Sequence, residues 1–197
     1  MDLVLQVLHV KGRATLAALE AAVLADPTDA VAHHVTTGLV EDTKFGYKVT
    51  ELGRSRVDEL YARERERAGP VIDDVYESFV PINDEVKQVV TDWQLRSVGG
   101  ELTVNDHSDH RHDEGVIARL RRIDAKAATA LARLTTSLAR FDVYPKRLGR
   151  ALALFCDGDH TMLATPLKDS YHTVWFELHE ELIILSGRNR AEEEAAS

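Results

Sequence analysis

The chain has a single cysteine, Cys156, among 197 residues. An intramolecular disulfide is therefore excluded, and the protein suits a reducing compartment, which reads as cytoplasmic. Long apolar runs are also missing. No uninterrupted stretch approaches the roughly 20 residues that a helix needs to cross a bilayer, so no membrane span is expected. The apolar segment from Leu3 to Val10 is broken by Gln6 and His9, follows Asp2, and has neither a basic leader nor a small-residue cleavage site. It does not read as a signal peptide. Positive charge is in deficit, with 24 Lys and Arg against 33 Asp and Glu, a net charge of −9. That balance repels nucleic acid over the molecule as a whole and leaves only a local basic face able to bind it. Catalytic signatures are absent too: there is no phosphate-cradling glycine loop and no nucleophile beside a base. His179-Glu180 opens a zinc-protease pattern, but Ile183 stands where its second histidine belongs. No enzymatic activity and no cofactor are expected.

What is present is an ordinary globular composition, 44% hydrophobic and 29% charged, in a length that accommodates two modules. Leu3 to Val10 reads as a helix stopping at Gly12. Thr15 to Leu24 carries Leu16, Leu19 and Val23 at helical spacing, and a third helix runs from Pro27 and Thr28 to Gly38. Thr43 to Thr50, with Phe45-Gly46-Tyr47-Lys48-Val49, reads as a small hairpin, and Thr50 as the cap of a further helix that becomes a linker at Arg63 to Arg67. Ala68-Gly69-Pro70 marks the boundary of a second module. Beyond it the pattern predicts short helices at Val71 to Phe79 and Asp84 to Trp93, interrupted at Pro81, then a polar loop over Ser97 to Asp113. A long amphipathic helix follows from Val116 almost to Phe141, then helices over Tyr144 to Phe155 and Ser170 to Leu185. The expected fold is mainly α: residues 1–68 as one module with a small β-hairpin, 70–190 as a helical bundle, and 191–197 as a disordered tail.

Gly38-Leu39-Val40, Tyr47-Lys48-Val49-Thr50 and Leu52-Gly53-Arg54 resemble the wing signature of the winged helix-turn-helix regulators of the MarR and PadR type. Thr91-Asp92-Trp93-Gln94, Asn105-Asp106-His107, Arg140-Phe141 and the string from Asp169 to Glu180 resemble an actinobacterial family of winged-helix proteins described as transcriptional regulators. The resemblance implies a DNA-binding N-terminal module, a helical sensing domain and a homodimer, and it supplies no catalytic residues to carry over. In that docking the third helix enters the major groove and the wing meets phosphate or the minor groove. The corresponding DNA contacts are His33, His34, Thr36 and Thr37 on the third helix, Lys44 and Lys48 on the wing, and Arg13, Arg54 and Arg56 around it.

The third helix, however, has neither lysine nor arginine, and residues 1 to 69 hold nine Lys and Arg against eleven Asp and Glu. A winged helix that docks a protein, as an accessory subunit of an enzyme, is the alternative. In the second module Trp93, Tyr144, His172, Trp175, Phe176 and His179 are candidates for a pocket holding a small-molecule effector, His172 and His179 lying two turns apart with Phe176 between them. Their plainer role is core packing. Asp106, His107, Asp109, His110, His112 and Asp113 crowd six potential metal ligands into eight positions, but the spacing matches no defined metal motif. Such a histidine-rich loop is more often simply solvated, so no metal site is expected, and metal binding by His107, His110 and His112 is left open.

Overall fold

The computed structural model describes residues 2–166 and 168–188, and the tail expected to be disordered lies outside the described residues. Three short helices open the chain: α1 (Asp2–Lys11), α2 (Leu16–Val23) and α3 (Thr28–Thr36). The hydroxyl of Thr15 caps α2 by accepting the Ala18 N–H, and Leu24 closes the helix in the left-handed conformation. The strands β1 (Val40–Thr43) and β2 (Gly46–Val49) then pair antiparallel, Val40 opposite Val49. The first strand thus begins three residues earlier than the expected hairpin, because Leu39 and Val40 pack inward beneath the helices. A backbone bridge from Ala14 to Tyr47 adds the segment before α2 as a third, one-residue strand.

Thr50 caps α4 (Glu51–Gln94), accepting the Gly53 N–H at 3.1 Å. Gly53 has a clear reason to be glycine. A β-carbon there would sit 2.0 Å from the Leu39 carbonyl oxygen, so the first turn of α4 closes directly on the strand entry.

Two expectations fail along α4. Arg63 to Arg67 is helix and not linker, and Pro81 does not separate two helices: α4 continues through both Pro70 and Pro81. The cost of proline is confined to a kink at Ala68 (φ −134°, ψ 15°), two residues before Pro70, where the helical torsion is given up. The buried stripe explains the continuity. Val57, Tyr61, Ala68, Ile72, Val75, Phe79, Ile82, Val86, Val89 and Trp93 follow one another at three- or four-residue steps on both sides of the kink, apart from one double step. Breaking the helix would expose that face, so burial outweighs two missing hydrogen bonds.

The predicted loop at 97–113 is also replaced. β3 (Leu95–Val98) and β4 (Glu101–Val104) form a second hairpin turning at Gly99 and Gly100, and Asp109 caps α5 (His110–Ser137). Val116, Leu120, Ile123, Ala127, Leu131 and Leu134 bury the expected face of α5 against α4. A 3-10 turn (Ala139–Asp142) leads to α6 (Val143–Cys156), the short α7 (Thr161–Ala164) and α8 (Tyr171–Ser186), which Ser170 caps and Gly187 closes. The bundle is α4, α5, α6 and α8, and one continuous hydrophobic core joins it to the N-terminal helices.

Candidate functional site

The exposed surface of the N-terminal unit centres on α3 and the first hairpin, which pack against each other. His33 and Thr36 on α3, and Thr37 at its C-terminal cap, are exposed. The hydroxyls of Thr36 and Thr37 bond back to the Ala32 and His33 carbonyls, each at 2.9 Å. His34 is a correction: it is only 2% exposed and faces the core, so it cannot reach a groove.

The cations around the hairpin divide into two sets. Lys48 pairs with Glu41 at 3.2 Å, Arg54 with Glu51 at 2.5 Å, and Arg56 with Glu59 at 3.0 Å and Asp2 at 3.9 Å. Arg13 and Lys44 make no ion pair among the described residues. Their charged groups lie 5.7 and 5.5 Å from the ring of Phe45, itself 67% exposed at the tip of the hairpin. The tip is fixed from below, since the Ala14 carbonyl oxygen lies 2.5 Å from where a β-carbon on Gly46 would stand.

Behind this surface, two chains of charge join the unit to the bundle. In the first, Lys11 at the end of α1 bonds Glu177 on α8 at 2.5 Å. Glu177 also accepts from Arg147 on α6 at 2.8 Å, and Arg147 chelates Asp169. In the second, Gln6 on α1 reaches Glu64 at 3.3 Å, Glu64 takes a fork from Arg140 at 2.7 and 2.6 Å, and Arg140 meets the buried Glu181. Glu181 also accepts from the Tyr61 hydroxyl at 3.0 Å and from Tyr144. Burial, reinforced by Glu181, pushes the pKa of both tyrosines well up, so they stay protonated donors. Burial works against the charge on Arg140 and Arg147, but the carboxylates outweigh it and raise both. Each charge is balanced by a forked partner, the condition under which a buried ion pair is tolerated.

Beside the first chain runs an open groove of about 730 Å³ between α2, the hairpin tip and α8. Phe45, Ala17 and Ala18 lie on one side and Pro166 and Phe176 on the other, with Lys11, Arg13 and Lys168 along it.

The six residues expected to share an effector pocket are dispersed. Tyr144 belongs to the Glu181 network. Trp175 stacks on Phe79 at 4.7 Å and donates its indole N–H to Asn83 at 3.0 Å, while His179 packs against the same Phe79 at 5.3 Å. His172 is exposed on the first turn of α8, and burial of part of its ring lowers its pKa. Phe176, 48% exposed, is the one that lines the groove. Trp93 sits at the far end of α4 in a separate ring cluster with His107, Phe155 and His160, at 4.5, 4.7 and 5.0 Å.

The histidine-rich loop does not converge either. His107 turns to Asp113 at 3.0 Å, His112 bonds the Asp92 carbonyl at 2.7 Å, and His110 is exposed at the start of α5. No group of three or more His, Cys, Asp or Glu among the described residues is placed to hold a metal.

The acids that hold Arg140 and Arg147 were not singled out from the sequence. The signal was present: Glu177 and Glu181 interrupt the apolar face of α8 one turn apart, and Arg140, Tyr144 and Arg147 repeat at the same period on their side. Comparison with protein-family models, with curated proteins and with solved structures finds no match to this chain.

Proposed function

We propose that the chain is a DNA-binding transcriptional regulator of winged-helix type, working as a dimer, in which the helical domain responds to a small-molecule effector. The observation that carries the reading is the pair Arg13 and Lys44. They come from different elements, have no acidic partner among the described residues, and flank an exposed aromatic at the tip of a pinned hairpin beside α3. Cations free of internal partners are those that phosphate can claim without displacing a carboxylate. The third strand at Ala14 and the cap at Thr50 support the same architecture. The effector's place in this reading is the groove beside Phe176, where both units contribute to the wall and occupancy alters how the DNA-binding unit sits on the bundle.

The test is binding of the purified protein to DNA from upstream of its own gene, titrated with salt. An Arg13→Ala, Lys44→Ala double variant lowers the slope of log affinity against log salt by about 2, and the Arg54→Ala, Arg56→Ala pair by less, because those guanidiniums are already engaged. Sedimentation of the same sample reads the dimer. Weak binding that is equal on every sequence and unaffected by the first variant would overturn the reading.

One observation favours a second reading. Asp29, Glu41 and Asp42 are exposed on α3 and β1, α3 carries no lysine or arginine, and three of the five nearby cations are neutralised by acids. Such a surface suits docking to a protein partner, as in an accessory subunit of an enzyme, and co-purification of a stoichiometric partner with no DNA binding would establish it.

A further inference from the structure

We propose that His107 and His160 form a site for a divalent transition-metal ion of the zinc, nickel or copper kind, with Asp113 orienting His107. The site lies at the opposite end of α4 from the hairpin tip and goes beyond the regulator reading without depending on it. It opens on a pocket of about 370 Å³ bounded by Trp93, Val104, Asn105 and Leu163.

The geometry around His107 is unusual for a surface loop. Its φ is +59°, in the left-handed region that residues with a side chain seldom adopt. Buried Asn105 holds it there: its side-chain oxygen accepts the His107 N–H at 3.1 Å, and its amide reaches the Trp93 carbonyl at 3.1 Å and Asp113 at 2.8 Å. Asp113, also buried, sits 3.0 Å from Nδ1 of His107. The Asn105 amide also lies 3.2 Å from this Nδ1, but its two N–H groups are directed to the Trp93 carbonyl and Asp113. With Nδ1–H donating to the Asp113 carboxylate, Nε2 keeps its lone pair, the arrangement by which metal-binding histidines are oriented. No hydrogen bond from another described residue reaches that Nε2 or either ring nitrogen of His160.

The two rings lie 5.8 Å apart, centroid to centroid. Two imidazoles on one tetrahedral ion, with metal–nitrogen bonds of about 2.0–2.1 Å, have centroids roughly 5–6 Å apart. No third His, Cys, Asp or Glu joins them among the described residues, so water from the open pocket completes the coordination. Imidazole donors select zinc, nickel or copper over calcium and magnesium.

The probe is copper(II) or nickel(II) added to the full chain, read through Trp93, whose ring lies 4.5 and 5.0 Å from the two imidazoles. Trp175→Phe leaves Trp93 as the only tryptophan, and zinc is measured by calorimetry. The expected result is saturable one-to-one quenching, weakened at least about tenfold by His107→Ala or His160→Ala and about ten- to hundredfold by Asp113→Asn. His110→Ala leaves it unchanged. His160 is exposed, so its substitution keeps the fold, which the melting temperature verifies. Quenching that is equally strong in the His107 and His160 variants would mean an adventitious ion only, and would overturn the proposal. Absence of saturable quenching and of zinc heat would overturn it as well.

Discussion

The two hairpins have the same length and opposite circumstances. In the first, Val40 and Val49 are buried, Ala14 extends the sheet, and Gly46, the first strand residue after the turn, is pressed against backbone. In the second, every residue of β4 is exposed, Leu102 at 74% and Val104 at 77%, and nothing lies within 4 Å of where a β-carbon would stand on Gly99 or Gly100. A two-stranded hairpin is marginal alone. The first is held along its length by the core. The second is held at its base, where the Asn105 N–H bonds the Gln94 carbonyl at 2.8 Å. A surface meant to present side chains rigidly needs the first kind of support.

Glycine substitutions break this comparison most sharply. Gly53→Ala and Gly46→Ala drive a β-carbon into the backbone of Leu39 and Ala14, and each is expected to cost about 2–4 kcal/mol. Gly100→Ala has a positive φ but open space, and costs about 1 kcal/mol. Denaturant unfolding of the three variants gives the order. Equal losses would mean that the second hairpin is as tightly held as the first.

Asn105→Ala comes next. It strips the Trp93 carbonyl, the Asp113 carboxylate and the His107 N–H of a shared partner inside a buried cluster, an expected loss of about 2–3 kcal/mol. If the base of the second hairpin is its anchor, amide exchange over 95–104 speeds up in this variant while 40–49 stays protected.

Legibility in the sequence follows the same division. The first hairpin and the cap at Thr50 were readable because the glycine after the turn, capping threonine and inward Val40 and Val49 are local signals. The second was hidden: Arg96, Ser97, Glu101 and Thr103 dilute the alternation, no core forces a face inward, and the segment reads as loop. The continuity of α4 was misread because Pro70 and Pro81 are strong local breakers, whereas the stripe from Val57 to Trp93 that overrides them acts only once α5 and α8 are in place. The proposed contact at His34 failed for a related reason. Alternation between His33 and His34 cannot show which of two neighbouring imidazoles faces the core. His160 was invisible as a neighbour of His107, since their proximity is made by tertiary folding alone.

A smaller effect concerns pH at the anchored end. His9 on α1 packs 6.5 Å from Tyr61, and burial lowers its pKa below the ordinary 6.5. The unfolded chain therefore takes up the proton first. Stability is full above the unfolded value and falls as pH drops through about 6.5 toward the folded pKa. His9→Gln should flatten that decline between neutral pH and pH 5, read as melting temperature against pH.

The smallest effect expected is at the second hairpin's own face. Leu102→Ser exchanges a side chain that touches mostly solvent and should change stability by less than about 0.5 kcal/mol. Val49→Ala, one apolar truncation on the pinned hairpin, should cost about 2 kcal/mol. The pair isolates burial from strand geometry, because both residues sit in four-residue strands of antiparallel hairpins. A loss at Leu102 matching that at Val49 would show that something covers the second hairpin in solution. If that loss also grew with protein concentration, the cover would be another copy of the chain, since a contact between copies strengthens by mass action and one within a chain does not.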